Sequence, residues 1–346
     1  MKILINTPDT SLLGGVANHY KGLQPYWSQN VKYNFIGGRK GIPGPLILIY
    51  DYIKFIFSCA FGKYDIILLN PSLGKTALKR DALFLKISKW FKIKTIVFFH
   101  GWSNEIVEQL NKNSTSFYKS YNVADKIIVL AQSFKDDLIN WGIIKPILLT
   151  TTKVNDELIK DFNLFNKIWK PNILFLTRVE IYKGIFTTLE AFKLIRAKHS
   201  QVSLTIAGDG SKLSEAKRFV EKNEIQDVHF LGNVSGDELI DAFKNASIYM
   251  LPSHGEGMPT SVLEAMAFGL PIISRPVGGL IDFFEEENMG YLIESHEPKE
   301  YAEKIIQLLE NKEKMKEMGK YNHEYAKKHF MASKVALEIE KILFNV

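Results

Sequence analysis

The feature that most constrains the fold of this chain is a regular alternation of short aliphatic runs with longer segments of helical pattern. Each run is apolar on both faces, which is typical of a strand in a parallel sheet that helices cover on both sides. The first series is Ile3–Ile5, Tyr33–Ile36, Ile66–Leu69, Thr95–Phe99, Ile127–Leu130 and Ile147–Leu149. The second series is Ile173–Leu176, Ser203–Ala207, Val228–Leu231, Ile248–Leu251, Ile272–Ser274 and Tyr291–Ile293. We therefore predict an α/β protein with two Rossmann-like, doubly wound parallel sheets.

A polar segment separates the two series. Residues 150–170 are rich in Asn and Asp and are followed by Pro171, a composition typical of an interdomain linker. The predicted N-terminal domain covers residues 1–160, the C-terminal domain covers 161–325, and a helical segment follows over 326–346. Ligands of doubly wound sheets bind beyond the carboxyl ends of the strands. We therefore expect a cleft between the domains, lined by residues that directly follow strands.

Cysteine content and hydropathy exclude several classes of protein. The chain of 346 residues has one cysteine, Cys59, which excludes a disulfide framework and a Cys-rich zinc site. No signal-peptide core follows the first residues. The longest stretch without Asp, Glu, Lys or Arg is eleven residues, too short to span a bilayer. We expect a cytoplasmic protein.

Positive charge is concentrated in the first half of the chain. Residues 1–165 hold 21 Lys and Arg against 12 Asp and Glu, whereas the remainder holds 23 against 26. Within the first half, one segment with interleaved leucines and aromatic residues carries seven cations against the single carboxylate of Asp81: Lys75, Lys79, Arg80, Lys86, Lys89, Lys92 and Lys94. Such a helix can lie on an anionic membrane, or it can be the solvated face of an ordinary core helix. No nucleic-acid recognition motif accompanies the charge, so we expect no nucleic-acid partner.

Two loops that follow strands carry groups suited to an anion. Gly14 and Gly15 follow the first strand and open a helix, where backbone amides can approach a ligand, although a Gly-Gly pair is more often a plain turn. Arg178 and Lys183 follow the first strand of the second series. Both can converge on a diphosphate, Arg as a planar fork and Lys as a point charge, or they can be two surface cations.

The segment from Leu251 to Pro271 is the densest in functional residue types. Pro259 and Gly269 are suited to the start and end of a helix. Glu256 then lies in the preceding loop between two glycines, which favour close approach of the backbone to another group. Thr260 and Glu264 share the polar stripe of the helix, where a solvent-facing role for Glu264 remains an alternative.

His100 follows a buried strand at the expected cleft mouth, in the order Phe99-His100-Gly101. This position favours contact with a substrate over a purely structural role. The histidines lack metal-ligand spacing, and the chain has no Gly-x-Gly-x-x-Gly fingerprint, serine elbow, Walker loop or kinase motif set.

Together these segments resemble the family-4 retaining glycosyltransferases, which have the two-domain GT-B architecture. The resemblance covers most of the chain, and its most specific part is the Glu-x7-Glu pattern from Glu256 to Glu264. The other matching positions are Gly14-Gly15, Arg178, Lys183-Gly184, the turn Ala207–Gly210 and the loop Pro276–Gly279. Two positions depart from the family pattern, since Asp282 stands where Glu is common and Met258 where Phe is common.

The resemblance implies transfer of a sugar from a nucleotide diphospho-sugar, with retention at the anomeric carbon. The donor would be held by the C-terminal domain, the acceptor by the N-terminal domain, and the last helix would pack back on the N-terminal domain. Catalytic roles would belong to Glu256, His100, Arg178 and Lys183. The residues expected to bind the donor are Gly14, Gly15, Arg178, Lys183, Gly257, Met258, Pro259, Thr260 and Glu264.

The implied chemistry needs no metal or other cofactor, because two cations and a helix N-terminus can stabilise the leaving diphosphate. The basic segment and the apolar residues 46–61 suggest a glycan or lipid-linked glycan acceptor, in bacterial surface polysaccharide synthesis, with the enzyme peripheral at the inner face of the membrane. Two alternatives on the same fold are a sugar-nucleotide 2-epimerase and a non-catalytic sugar-nucleotide-binding protein.

Overall fold

The computed structural model describes residues 1–12, 14–39 and 41–344, and it divides them into two compact units. Unit 1 contains residues 1–153, the short segment Glu256–Met258 and the chain from Ala332 onward. Unit 2 contains Val154–Gly255 and Pro259–Met331. The last two residues of the predicted C-terminal segment, Asn345 and Val346, lie outside the described residues.

Unit 1 is built on a six-stranded parallel sheet with the strand order β2-β1-β3-β4-β5-β6. Its strands are β1 (Lys2–Thr7), β2 (Asn30–Phe35), β3 (Ile66–Leu69), β4 (Lys94–Phe98), β5 (Lys126–Val129) and β6 (Ile147–Leu149). Its helices are α1 (Gly15–Leu23), α2 (Gly44–Phe61), α3 (Lys75–Trp90), α4 (Asn104–Lys112), α5 (Thr115–Tyr121) and α6 (Gln132–Asn140). The side chains of β3 and β5 are buried along their whole length, as expected for strands covered on both faces.

Unit 2 repeats this plan with the strand order β12-β11-β10-β7-β8-β9, again all parallel. Its strands are β7 (Asn172–Leu176), β8 (Ser203–Ala207), β9 (Val228–Gly232), β10 (Ile248–Leu251), β11 (Ile272–Ser274) and β12 (Gly290–Leu292). Its helices are α7 (Ile185–Lys198), α8 (Leu213–Lys222), α9 (Asp237–Lys244), α10 (Thr260–Ala267), α11 (Pro298–Glu310) and α12 (Lys312–His329). The strand order reverses between β7 and β10, so the loops that follow these two strands flank the switch point of the sheet.

The prediction of two doubly wound parallel sheets is therefore confirmed, and all twelve aliphatic runs correspond to strands. The division between the units lies within the predicted linker, ahead of residue 160. Val154 belongs to unit 2, where its amide donates a hydrogen bond to the carbonyl of Phe330 at 2.7 Å.

The final helix, α13 (Ala332–Phe344), belongs to unit 1. Its Glu340 is 4% exposed and accepts hydrogen bonds from the amide and hydroxyl of Ser28, at 2.8 and 2.6 Å. Lys126 of β5 also donates to the carbonyl of Ile342 at 2.8 Å. The helix therefore completes the core of unit 1, although the whole of unit 2 separates it in sequence from most of that unit.

One helix among the described residues, α2, is long and apolar enough to cross a membrane on length and composition, with 18 residues and a mean hydropathy of 1.4. Asp51 and Lys54 interrupt the apolar run of α2, so the helix contains no long stretch without charged residues. Asp51 is 1% exposed and pairs with Arg39 at 2.8 Å.

Candidate functional site

In unit 2, the two predicted diphosphate ligands lie on the same aromatic ring. Arg178 comes two residues after β7, and Lys183 ends the short 3-10 turn that precedes α7. The guanidinium carbon of Arg178 lies 5.6 Å, and the Nζ of Lys183 lies 5.4 Å, from the centre of the Tyr182 ring. Arg178 is exposed and Lys183 is 8% exposed. The structure thus brings both cations to one side chain at the switch point of the sheet.

The loop after β10 supports this arrangement directly. The amide of His254 donates to the carbonyl of Tyr182 at 2.8 Å. Gly184 adopts a left-handed conformation with φ 80°, and a Cβ added there would lie 2.4 Å from the carbonyl oxygen of Pro252. Gly184 is therefore required both by its backbone conformation and by the close approach of the neighbouring loop.

The requirement for glycine at position 184 gives a stability prediction with a matched control. Gly232 also has a positive φ, 70°, but a Cβ there meets open space. We expect Gly184→Ala to lower the free energy of unfolding by about 2–5 kcal/mol, since it combines left-handed strain with overlap on a carbonyl. Gly232→Ala should cost only about 1–2 kcal/mol. Denaturant unfolding of both variants tests this, and equal losses would show that the Pro252 contact adds nothing.

The helix that follows this loop, α10, buries the residue that carries its carboxylate. Pro259 precedes the first residue, Thr260, and Gly269 follows the helix with φ 68°, as predicted. Glu264 is 7% exposed rather than solvent-facing, because α10 is buried from Val262 to Ala267. Glu264 therefore lies in the buried part of α10, four residues after Thr260 at the start of the helix.

In unit 1, the glycine pair after β1 leaves the start of α1 accessible. Gly14 precedes the helix with φ 154° and ψ 151°, and no side chain caps the first turn. A Cβ added at Gly14 or Gly15 would find no heavy atom of the described residues within 4 Å. Open space beside the start of a helix is a common arrangement for binding an anion.

His100 is held by a network of buried polar side chains at the same edge of the sheet. It lies two residues beyond the end of β4, and its Nε2 is 3.0 Å from Oδ1 of Asn70, which also accepts a hydrogen bond from the hydroxyl of Tyr20. Asn70 is oriented by its Nδ2, which donates to the carbonyl of Asn6 at 2.8 Å. Because an amide oxygen can only accept, His100 carries its proton on Nε2 and keeps a lone pair on Nδ1. Burial lowers the pKa of His100 to about 3, so the ring is neutral at physiological pH.

The loop residues Glu256, Gly257 and Met258 also belong to unit 1. A Cβ added to Gly257 would lie 2.6 Å from the backbone carbonyl oxygen of His100. The glycines of this loop predicted a close approach of the backbone to another group. For Gly257, that group is the backbone of His100. Met258 is 9% exposed, and Glu256 is half-buried at the edge of the segment.

Two residues of this network were missed by sequence reasoning. Asn70 directly follows β3, so inspection of the first residue after each strand could have found it. His19 lies in α1, 3% exposed, with its ring centre 5.1 Å from that of His100 and with neither ring nitrogen hydrogen-bonded among the described residues. Burial, followed by the nearby His100 and Lys153, lowers the pKa of His19 well below its usual range. A single histidine in a helix carries no sequence signal of this kind.

The Asn70 contact predicts a measurable change in the titration of His100. In Asn70→Asp, a carboxylate would face Nε2 and stabilise the imidazolium, so the pKa of His100 should rise from about 3 toward its ordinary value. The Nδ1 lone pair would then be lost as the pH falls through this higher pKa, and the acid limb of any activity should move to higher pH. Nitrogen-15 NMR of the histidine ring measures both the tautomer and the pKa. An unchanged titration in Asn70→Asp would contradict the assigned contact.

Among the described residues, no group of three or more His, Cys, Asp or Glu side chains is placed to hold a metal ion.

Comparison with known sequences finds similarity to glycosyltransferases, and the family-model match lies in the second unit. Residues 155–325 match the family model described as Glycosyl transferases group 1. An uncharacterized glycosyltransferase of Methanocaldococcus jannaschii is 27% identical over 255 residues, which cover 72% of this chain and 68% of that protein. The D-inositol 3-phosphate glycosyltransferase of Paenarthrobacter aurescens is 27% identical over 175 residues, covering 49% of this chain and 43% of that protein.

Solved structures show the same fold over the whole chain. The Anabaena protein HepE in complex with UDP superposes with a TM-score of 0.78, at 17% sequence identity, covering 99% of both chains. Sucrose-phosphate synthase from Thermosynechococcus elongatus superposes with a TM-score of 0.75, at 19% identity, covering 99% and 98%. The predicted two-domain GT-B architecture is therefore confirmed.

Proposed function

We propose that this chain, whose residues 155–325 match the group 1 glycosyltransferase model, is a glycosyltransferase that transfers a sugar from a nucleotide diphospho-sugar to a glycan or lipid-linked glycan acceptor, with retention of anomeric configuration. The observation that carries the proposal is the pair Arg178 and Lys183 on the ring of Tyr182. Two cations held at one switch-point loop are suited to a group that carries two negative charges.

The proposed chemistry depends on stabilising the departing diphosphate. As the bond between the anomeric carbon and the diphosphate oxygen breaks, negative charge develops on the oxygen and positive charge on the sugar ring. Arg178 would bind the diphosphate with its planar fork, and Lys183 would neutralise the remaining charge. The uncapped start of α10 adds amides and a positive dipole end. No metal is needed in this scheme.

The roles proposed for the remaining site residues follow from the resemblance to the retaining glycosyltransferases. Glu264 would accept hydrogen bonds from the ribose hydroxyls of the nucleotide, with the neighbouring Pro259 and Thr260 shaping the subsite. Glu256 would bind the donor sugar near the reacting carbon, with Gly257 and Met258 beside it. The neutral ring of His100 would contact the same sugar through the lone pair on Nδ1.

Further amides for the diphosphate would come from the start of α1. Gly14 and Gly15 are suited to this role because the space beside them is open.

The acceptor is proposed to bind unit 1. A cavity of about 290 Å³ lies between α3, α4 and α5. Its lining includes the apolar side chains of Leu78, Ile106 and Phe117 and the two cations Lys75 and Lys79. An apolar cavity beside two ammonium groups is suited to a molecule with a hydrocarbon chain and an anionic group. We therefore favour a lipid-linked acceptor, as used in the synthesis of bacterial surface polysaccharide on the cytoplasmic side of the membrane.

A donor screen followed by product analysis tests this function. UDP-sugars are the first donors to examine, because HepE was solved with UDP and with UDP-glucose. Thermal shifts with UDP-, GDP- and ADP-sugars should identify one nucleotide, since ligands that bind the folded state raise the unfolding temperature. Proton NMR of the transfer product should then show the anomeric configuration of the donor. An epimerised sugar nucleotide formed without acceptor would instead indicate a 2-epimerase, and stabilisation without turnover would indicate a binding protein.

A further inference from the structure

The helices α2 and α3 pack against each other on the outside of unit 1. Phe84 of α3 lies between Tyr52 and Phe55 of α2, with ring centres 4.7 and 4.8 Å apart. The hydroxyl of Tyr52 also donates to the carbonyl of Arg80 at 3.2 Å. These contacts fix one side of each helix to the protein and leave the opposite side of the pair facing outward.

The outward side of α2 is a row of large apolar side chains. They recur at spacings of three and four residues, which places them on one face of the helix. Their exposures range from 49% to 76%: Leu46, Ile49, Tyr50, Ile53, Phe57 and Phe61. Exposed apolar patches of this extent on a folded protein mark a surface that another molecule covers.

The outward side of α3 adds positive charge and aromatic surface to this row. Its exposed residues include Lys75, Lys79, Lys86 and Leu83, and Trp90 is 76% exposed. We call the outward faces of α2 and α3 together the two-helix surface.

The carboxylates of α2 and α3 are buried and do not contribute negative charge to the two-helix surface. Within α2 and α3, both of which the structure describes completely, the only carboxylates are those of Asp51 and Asp81. Asp51 is 1% exposed and pairs with Arg39 at 2.8 Å, and Asp81 is 0% exposed and pairs with Arg80 at 2.6 Å. The side chains left on the outside are apolar, aromatic and cationic.

We propose that the two-helix surface docks unit 1 on an anionic lipid bilayer. The apolar row of α2 would enter the boundary between headgroups and acyl chains, while the lysines of α3 meet lipid phosphates and Trp90 lies at headgroup level. A second copy of this chain is a poorer occupant, because it offers these lysines the same charge that they carry themselves. The inference goes beyond the proposed transfer reaction and does not depend on it.

The geometry favours a helix that lies on the bilayer over one that crosses it. Asp51 accepts a hydrogen bond from the amide of Gly37 at 2.8 Å in addition to its pairing with Arg39. Crossing the bilayer would take this carboxylate away from its partners and into hydrocarbon, which is costly. Lying in the interface keeps both the ion pair and the packing of α2 on α3.

Binding of the full chain to vesicles tests the proposal. We expect co-sedimentation with vesicles that contain phosphatidylglycerol and at least tenfold less with phosphatidylcholine alone. Removal of one cation near an anionic surface weakens binding roughly fivefold. The double variant Lys79→Glu with Lys86→Glu removes two cations, so binding to anionic vesicles should weaken at least about 30-fold. The matched control, Lys193→Glu with Lys198→Glu in α7, makes the same charge change in unit 2 and should bind like the native protein.

The apolar row has its own variant and control. Ile53→Gln with Phe57→Gln should weaken vesicle binding at least tenfold, whereas Phe165→Gln, at a side chain 95% exposed in unit 2, should not. Equal binding by all variants, or no binding by the native chain, would overturn the proposal. Protein that stays in the membrane through alkaline carbonate extraction would overturn it in favour of a spanning helix. A native dimer that Ile53→Gln with Phe57→Gln dissociates, without vesicle binding, would show that a second copy covers the surface.

Discussion

Replacement of Glu256 by Gln is expected to reduce turnover by about 100- to 1,000-fold while leaving the affinity for the donor within a few-fold of native. The substitution keeps the size and hydrogen-bonding capacity of the side chain and removes its charge. In the proposed reaction the sugar ring becomes positively charged only as the diphosphate departs, so a carboxylate close to the ring acts mainly on the transition state. Transfer rates and donor affinity, measured separately, show whether the loss falls on turnover.

The position of Glu256 makes this variant informative. Its loop belongs to unit 1, and Gly257 packs closely against the backbone of His100. Because Gln and Glu have nearly the same volume, the substitution changes the charge with little change in size. Glu190→Gln, at an exposed position of α7, makes the same chemical change away from the site and should retain full activity. A Glu256→Gln protein with native turnover would remove the carboxylate from the mechanism, and it would favour a role limited to binding.

The fold could be predicted from the sequence because many residues, distributed over all the aliphatic runs, indicate the same two parallel sheets. Each aliphatic run is an independent indication of a buried strand, so small errors at the ends, as at β2 (Asn30–Phe35), leave the topology unchanged. The switch point of unit 2 then follows from the order of the strands, and it brings the loops of Arg178 and Pro252 together.

The candidate site was predictable only where a residue follows a strand or sits in a recognisable motif. Arg178, Lys183 and His100 were found in this way. Asn70 also follows a strand, but an Asn before a Pro looks like ordinary turn chemistry. The burial of Glu264 depends on which elements surround α10, and the contact between His19 and His100 joins residues far apart in the chain. Neither is contained in a local pattern.

The proposed membrane-docking surface shows a similar limit of sequence-based prediction. The apolar character of residues 46–61 and the charge of residues 75–94 were visible in the sequence, but an apolar helix is usually buried. Only the structure shows that α2 turns one apolar face inward, where Phe55 packs on Phe84, and a second apolar face outward.

Replacement of Lys183 by Met is expected to weaken binding of the nucleotide diphosphate by about 1.5–3 kcal/mol, roughly 10- to 150-fold, the scale of a charge-assisted hydrogen bond. Methionine preserves the apolar stem that packs in a site only 8% exposed, so the change removes the ammonium group beside Tyr182 without opening a cavity. Lys198→Met, at the exposed end of α7, is the matched control and should bind normally. Calorimetry with UDP and with uridine separates the effects, because only the diphosphate should lose affinity. Native affinity for UDP in a folded Lys183→Met protein would mean that the leaving group is neutralised elsewhere.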